Sequence, residues 1–136
     1  IDLLAVKKVL LAEDEDDIRR LAKMSLGRGG DWEILVATDG EECLEMARTS
    51  RPDLILLDAK MPRVDGFEAC RRLKADPITA SIPVIFLTAS AQEHEIQRGL
   101  ALGAIGYLTK PFDPLQLRAQ VLEMLRRAGL DPDARA

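Results

Sequence analysis

The sequence predicts an α/β fold, a parallel sheet between two layers of helices, and three observations carry that expectation. Short unbroken apolar runs at Val9–Ala12, Leu54–Leu57 and Val84–Leu87 read as strands buried on both faces, the habit of parallel sheets covered by helices. Segments with apolar residues at helical spacing alternate with them. The connections are short, which calls for right-handed crossovers with helices on both faces.

The first strand, Val9–Ala12, runs directly into Glu13-Asp14-Glu15-Asp16-Asp17. Ile18, Leu21, Ala22 and Leu26 then recur at helical spacing, and Gly27 with Gly29-Gly30 stops that helix. Acids in a first helical turn suit the helix dipole, which accounts for Asp16 and Asp17 but not for Glu13 and Asp14. Ile34, Leu35 and Val36 form the second strand, with Trp32 at its approach. Asp39-Gly40 turns into a helix carrying Leu44 and Ala47, which ends near Thr49-Ser50. Pro52-Asp53 punctuates the start of the central strand, Leu54–Leu57, and Asp58 ends it. Met61-Pro62 and Asp65-Gly66 lift the chain off the sheet before a helix with Phe67, Cys70 and Leu73 on one face. Asp76-Pro77 closes that helix.

Val84–Leu87 is the fourth strand and ends on Thr88-Ala89-Ser90. The helix after it is expected to carry Ile96, Leu100 and Ala104 on one stripe, weakened by Gly99 and Gly103. Tyr107-Leu108 reads as a short edge strand broken by Lys110-Pro111. A last amphipathic helix bears Leu117, Val121, Met124 and Leu125, and Gly129-Leu130-Asp131-Pro132 ends it. Residues 1–136 are expected to form one domain, with its core at about 7–127 and a short flexible tail over 128–136. The chain opens on Ile1 rather than Met, so a trimmed start is expected.

Composition narrows the function classes. A hydrophobic content of 47% and a charged content of 31% are ordinary for a soluble globular protein. The net charge of −4 argues against a general nucleic-acid surface, which needs a surplus of Lys and Arg. Arg71-Arg72 and Arg126-Arg127 read as solvated helix faces. Cys43 and Cys70 fall in apolar helical patterns and read as small core residues, not a disulfide. No apolar stretch is long enough to span a membrane and no signal peptide is evident, so a reduced, cytoplasmic setting is expected.

Chemistry gathers at the carboxyl ends of the strands, where open parallel sheets build their functional crevice. Glu13, Asp14, Asp58, Thr88 and Lys110 all fall on that edge. Three converging carboxylates repel one another unless positive charge compensates. A hard divalent cation does this, and Mg²⁺ with carboxylates and retained waters is the usual case in phosphate chemistry. Lys110 supplies a further point charge for a phosphoryl oxygen, and the Thr88 hydroxyl can donate to another. Asp58 is left as the group able to attack phosphorus and become an aspartyl phosphate.

Here VLLAEDE, DLILLDAKMPRVDG, VIFLTAS and GYLTKPF, in that order, resemble the signatures of the receiver domain of two-component response regulators. The resemblance extends from about Lys8 to Arg127. It implies a doubly wound sheet of about five strands in the flavodoxin-like order 2-1-3-4-5, like that of chemotaxis regulators. Asp58 then matches the phosphoacceptor, Asp14 the direct Mg²⁺ ligand, and Glu13 an acid acting through water. Lys60 matches the position whose backbone carbonyl completes the metal shell. Thr88 and Lys110 match the phosphoryl contacts, and Tyr107 the aromatic whose rotation accompanies activation. The implied partners are a sensor histidine kinase or histidine phosphotransfer protein, and a downstream protein on a face built by Ile96, Tyr107 and Val121. The Lys60 side chain and Ser90, near the phosphoryl position, are expected to tune how long the phosphorylated state lasts.

His94, among Gln92, Glu93 and Glu95, lacks metal-ligand spacing and reads as solvated. An aspartate-nucleophile phosphatase of the haloacid-dehalogenase kind would carry a second Asp two residues after the nucleophile, where this chain has Lys60. A receiver module from a longer hybrid kinase or transcription factor is the nearer alternative. Winged-helix transcription factors of this family usually carry paired acids before the edge-strand tyrosine, where this chain has Ala104-Ile105-Gly106.

Overall fold

A computed structural model describes residues 2–3, 6–89 and 92–132. Five parallel strands form the main sheet: β1 (Lys8–Ala12), β2 (Glu33–Ala37), β3 (Leu54–Asp58), β4 (Val84–Thr88) and β5 (Gly106–Thr109). They lie in the order β2-β1-β3-β4-β5, which is the 2-1-3-4-5 arrangement. Helices α1 (Asp16–Leu26), α2 (Gly40–Ser50), α3 (Gly66–Ala75), α4 (Glu93–Ala101) and α5 (Leu117–Arg127) connect and follow them.

The strand period of two sorts the central side chains into two cores. Leu10, Ile55, Leu57 and Phe86 face α2 and α3, where Cys43, Ala47, Phe67 and Leu73 meet them. Leu11, Leu56, Ile85 and Leu87 face the other way, onto Ala22 and Leu26 of α1 and Leu117, Val121 and Leu125 of α5. Burial on both faces is why these strands read as continuous apolar runs. Asp39 and Asp65 cap α2 and α3, accepting from the backbone N–H of Glu42 and Glu68 at 2.8 Å each. Cys43 and Cys70 are free and buried, and burial pushes the Cys43 thiol up to about 12. Arg71 and Arg72 pair with Glu68, and Arg127 with Glu123, on exposed helix surfaces.

Two sequence expectations are corrected. Helix α4 ends at Ala101, so Ala104 is not on its stripe, and Leu100 is exposed. The buried position of α4 is Gly99, packed against the Phe86 ring. A glycine carries no apolar signal, so a stripe read from apolar spacing passes through its neighbours instead. Within the 128–136 segment expected as a tail, the described Leu130–Asp131 pairs in parallel with Asp2–Leu3. Val6 N–H also donates to the Pro132 carbonyl at 3.3 Å. Pairing between chain segments so far apart leaves no local trace in sequence.

Candidate functional site

Strand register delivers the acidic residues to one place. Ala12 pairs with Leu57, so the next residues, Glu13 and Asp58, leave the sheet level with each other. Asp58 pairs with Leu87, which sets Thr88 one residue further along the same edge. Glu13, Asp14 and Asp58 each present a carboxylate oxygen, and these lie within 4.8 Å of one another. Glu13 and Asp58 are buried, whereas Asp14 is exposed. Lys110 reaches in from the loop after β5, its Nζ 2.9 Å from Glu13 Oε1 and 3.4 Å from Asp58 Oδ2. The Lys60 backbone N–H donates to Asp58 Oδ1 at 3.2 Å. Asp14, Asp58, Lys60, Thr88 and Lys110 together line a pocket of about 160 Å³.

Burial pushes the Asp58 carboxyl up to about 8, and hydrogen-bonded, like-charged Glu13 pushes it the same way against the Lys60 N–H. Burial also works against charge on Lys110, but Glu13 and Asp58 outweigh it and hold the ammonium above the usual lysine range. One ammonium among three carboxylates leaves a negative surplus. Hard oxygen donors, one of them facing solvent, around a carboxyl whose ionisation burial and Glu13 oppose suit a hard divalent cation. The residues present therefore fit Mg²⁺.

Two supporting residues were not singled out from sequence. Arg19, one turn into α1, donates through Nη1 to the backbone carbonyl of Glu13 at 2.9 Å and pairs with Asp16. It clamps the acidic turn that carries Glu13 and Asp14. Gly66 opens α3 so close to the strand end that a Cβ there would lie 2.1 Å from the Asp58 carbonyl oxygen. Asp65-Gly66 reads as turn chemistry, yet the demand at Gly66 is for space. Only the packed chain shows either role.

The remaining predicted residues sort plainly. The Lys60 side chain is exposed at the pocket mouth. Thr88 and Tyr107 line a shared cavity beneath α4, with Tyr107 37% exposed. His94 is exposed. Ser90 lies outside the described residues. Val121 was expected on a partner-binding face, but it is fully buried beneath α5 and belongs to the core. The surface beside Tyr107 is built instead by Leu100, Ile105, Gln120 and Met124. An i, i+4 count from Leu117 already put Val121 on the buried stripe of that helix.

A family model for the response regulator receiver domain matches residues 9–122. The chain belongs to that family. It is 42% identical over 124 residues to the alkaline phosphatase synthesis transcriptional regulatory protein PhoP of Bacillus subtilis, covering 91% of this chain and 50% of that one. It is 41% identical over 123 residues to the phosphate regulon transcriptional regulatory protein PhoB of Pseudomonas aeruginosa, covering 90% and 53%. The chain thus spans about half the length of the curated relatives it matches. Among solved structures, the chemotaxis response regulator CheY4 of Vibrio cholerae superposes with a TM-score of 0.82 at 32% identity, covering 89% of this chain and 100% of that one. A putative response regulator from Chloroflexus aurantiacus gives 0.81 at 32% identity, covering 90% and 99%. The fold is therefore flavodoxin-like, and receiver domains of this kind are not conventional enzymes. Among the described residues, no helix is long and apolar enough to cross a membrane.

Proposed function

We propose that this receiver domain accepts a phosphoryl group on Asp58 from a phosphohistidine of a kinase or phosphotransfer protein, or from a small donor such as acetyl phosphate. The observation that carries this reading is Asp58 itself, buried at a strand end beside Glu13 with Lys110 Nζ at 3.4 Å. An Asp58 oxygen attacks phosphorus, the bond from phosphorus to the donor imidazole breaks, and the imidazole leaves with that electron pair. Lys110 and Thr88 border the pocket where the transferred oxygens would lie, so the domain supplies a nucleophile, position and charge. Glu13, Asp14, Asp58 and the Lys60 carbonyl would hold Mg²⁺, which when bound neutralises the carboxylates and the phosphoryl oxygens. With the Lys110 ammonium beside them, burial and Glu13 still hold Asp58 toward its neutral acid, so Asp58 becomes a competent nucleophile once further positive charge is present.

Signalling follows from Thr88. A phosphoryl oxygen on Asp58 draws the Thr88 hydroxyl toward it, and the space released lets Tyr107 turn from exposed to buried. Two pre-existing arrangements of α4, β5 and α5 are thereby reweighted for a downstream protein. The half-length match to transcriptional regulators supports a receiver module acting within a longer chain, and the net charge of −4 suits a domain without its own nucleic-acid contact. Acetyl phosphate with Mg²⁺ should add one phosphoryl group, read by intact mass, and Asp58→Asn should take up none. Uptake by the Asn variant at wild-type stoichiometry would remove Asp58 from the role.

A further inference from the structure

The cavity beneath the start of α4 contains a feature that phosphoryl chemistry does not account for. Among the described residues, Glu95 Oε2 is the one buried side-chain oxygen with no hydrogen-bond partner. Glu95 lines this cavity together with Thr88 and Tyr107, which among the described residues are its polar side chains; Phe67, Phe86 and Ile96 supply much of the rest. Glu93 and Glu95 both lie in the first turn of α4, where the helix dipole favours negative charge. The dipole explains an acid at either position. It does not explain why Glu95 turns an oxygen inward while Glu93 stays exposed.

A buried acceptor without a donor is costly, and the cost is relieved when a donor arrives. Tyr107 is the phenol on the cavity wall, and the residue is 37% exposed in this state. We propose that Glu95 is a positioning residue of the switch: its carboxylate accepts a hydrogen bond from the Tyr107 hydroxyl when that ring turns inward. The proposal rests on the phosphoacceptor reading, since activation at Asp58 is what vacates the space. Glu95 then acts twice. Unpaired, it raises the free energy of the resting arrangement; paired, it holds the signalling one.

The chain has one tyrosine, so 3-fluorotyrosine labelling gives a single ¹⁹F resonance that reports on position 107 alone. Beryllofluoride with Mg²⁺ should move that resonance toward a buried environment in the otherwise unaltered domain. Glu95→Ala should lower the inward-to-outward ratio about tenfold, the scale of a buried hydrogen bond to a charged group. Glu95→Gln keeps an acceptor oxygen and should stay within about threefold of the parent. Glu93→Ala, which alters the same helix terminus outside the cavity, should leave the ratio unchanged. An unchanged ratio in Glu95→Ala, with active-site amides responding normally to beryllofluoride, overturns the proposal. So does an equal loss in Glu93→Ala, which would assign the effect to helix charge. Absence of any active-site response in the parent domain instead overturns the phosphoacceptor reading, and the proposal with it.

Discussion

Asp58 carries opposed demands, because its neighbours favour the neutral acid while its proposed chemistry needs the anion. Its carboxyl rises from an ordinary 3.8 to about 8 in the folded domain, through burial first and Glu13 second. A raised acid is bound more tightly to its proton when folded, so its contribution favours folding below about 4 and is lost as pH rises toward 8. Urea denaturation of the metal-free domain should therefore show stability falling across that window, with Mg²⁺ restoring it at the upper end. Asp58→Asn removes one of three crowded charges. It should flatten the decline and stabilise the metal-free domain at pH 8 by about 1 kcal/mol or more, the worth of at least one pKa unit. A steeper decline in the Asn variant would place the titrating group elsewhere. Lys60, beside Asp58, invites a kinetic prediction. Its exposed ammonium at the pocket mouth can pair with a phosphoryl oxygen and obstruct the water that would hydrolyse the acyl phosphate. Lys60→Ala should then lose label about tenfold faster, equivalent to roughly 1–2 kcal/mol of barrier. An unchanged or slower loss in excess Mg²⁺ removes its side chain from the mechanism.

Helix α4 shows where local rules give way to packing. Propensity alone says Gly99→Ala should stabilise a helix by about 1 kcal/mol. In the folded domain the added Cβ would lie 2.9 Å from two atoms of the Phe86 ring, itself buried and set in a tilted pair with Phe67, ring centroids 5.2 Å apart. Overpacking of this kind costs about 1–3 kcal/mol, so the substitution should be neutral to destabilising, checked by thermal unfolding. A gain near 1 kcal/mol would mean that the ring yields freely. The same residue explains why α4 was the element least legible in sequence. Strands β1, β3 and β4 announced themselves because both faces are buried and no polar residue interrupts them until the functional edge. Glu13, Asp14, Asp58, Thr88 and Lys110 were legible for the same reason: each follows or ends such a run, or the edge strand beside it. Arg19 and Glu95 were not, because their roles depend on where a side chain points after folding. Leu21, expected on the apolar stripe of α1 with Ala22 and Leu26, is 42% exposed, while those two are fully buried.

At the scale of the molecule, the sheet order separates where the signal enters from where it leaves. The acidic pocket sits at the ends of the central strands, whereas β5 closes the sheet at its edge with α4 and α5 nearby. Thr88 of β4 pairs in register with Thr109 of β5, so the strand bearing Thr88 is joined through the ladder to the strand bearing Tyr107. The two ends of α5 are held unequally. Near its start, Arg118 makes two bonds to Asp31 at 2.9 and 3.0 Å, donates to the Leu26 carbonyl at 3.0 Å, and lies 3.9 Å over the Trp32 ring. A stacked arginine whose Nη2 is shared between both Asp31 oxygens while Nη1 holds the Leu26 carbonyl ties that end to the loop between α1 and β2. Further along, Gln120, Met124 and Arg127 border a groove of about 470 Å³ shared with Leu100, Ile105 and Tyr107. A rearrangement that starts at Thr88 should therefore reach α4, β5 and the second half of α5, and leave the Arg118 anchor in place. Amide shifts on adding beryllofluoride and Mg²⁺ should be large at Leu100, Ile105, Tyr107 and Met124, beyond those expected beside Asp58. They should be small at Asp31, Trp32 and Arg118. Shifts confined to α1 and α2 would refute this route, and shifts equally large at Trp32 would show that α5 moves as one rigid piece.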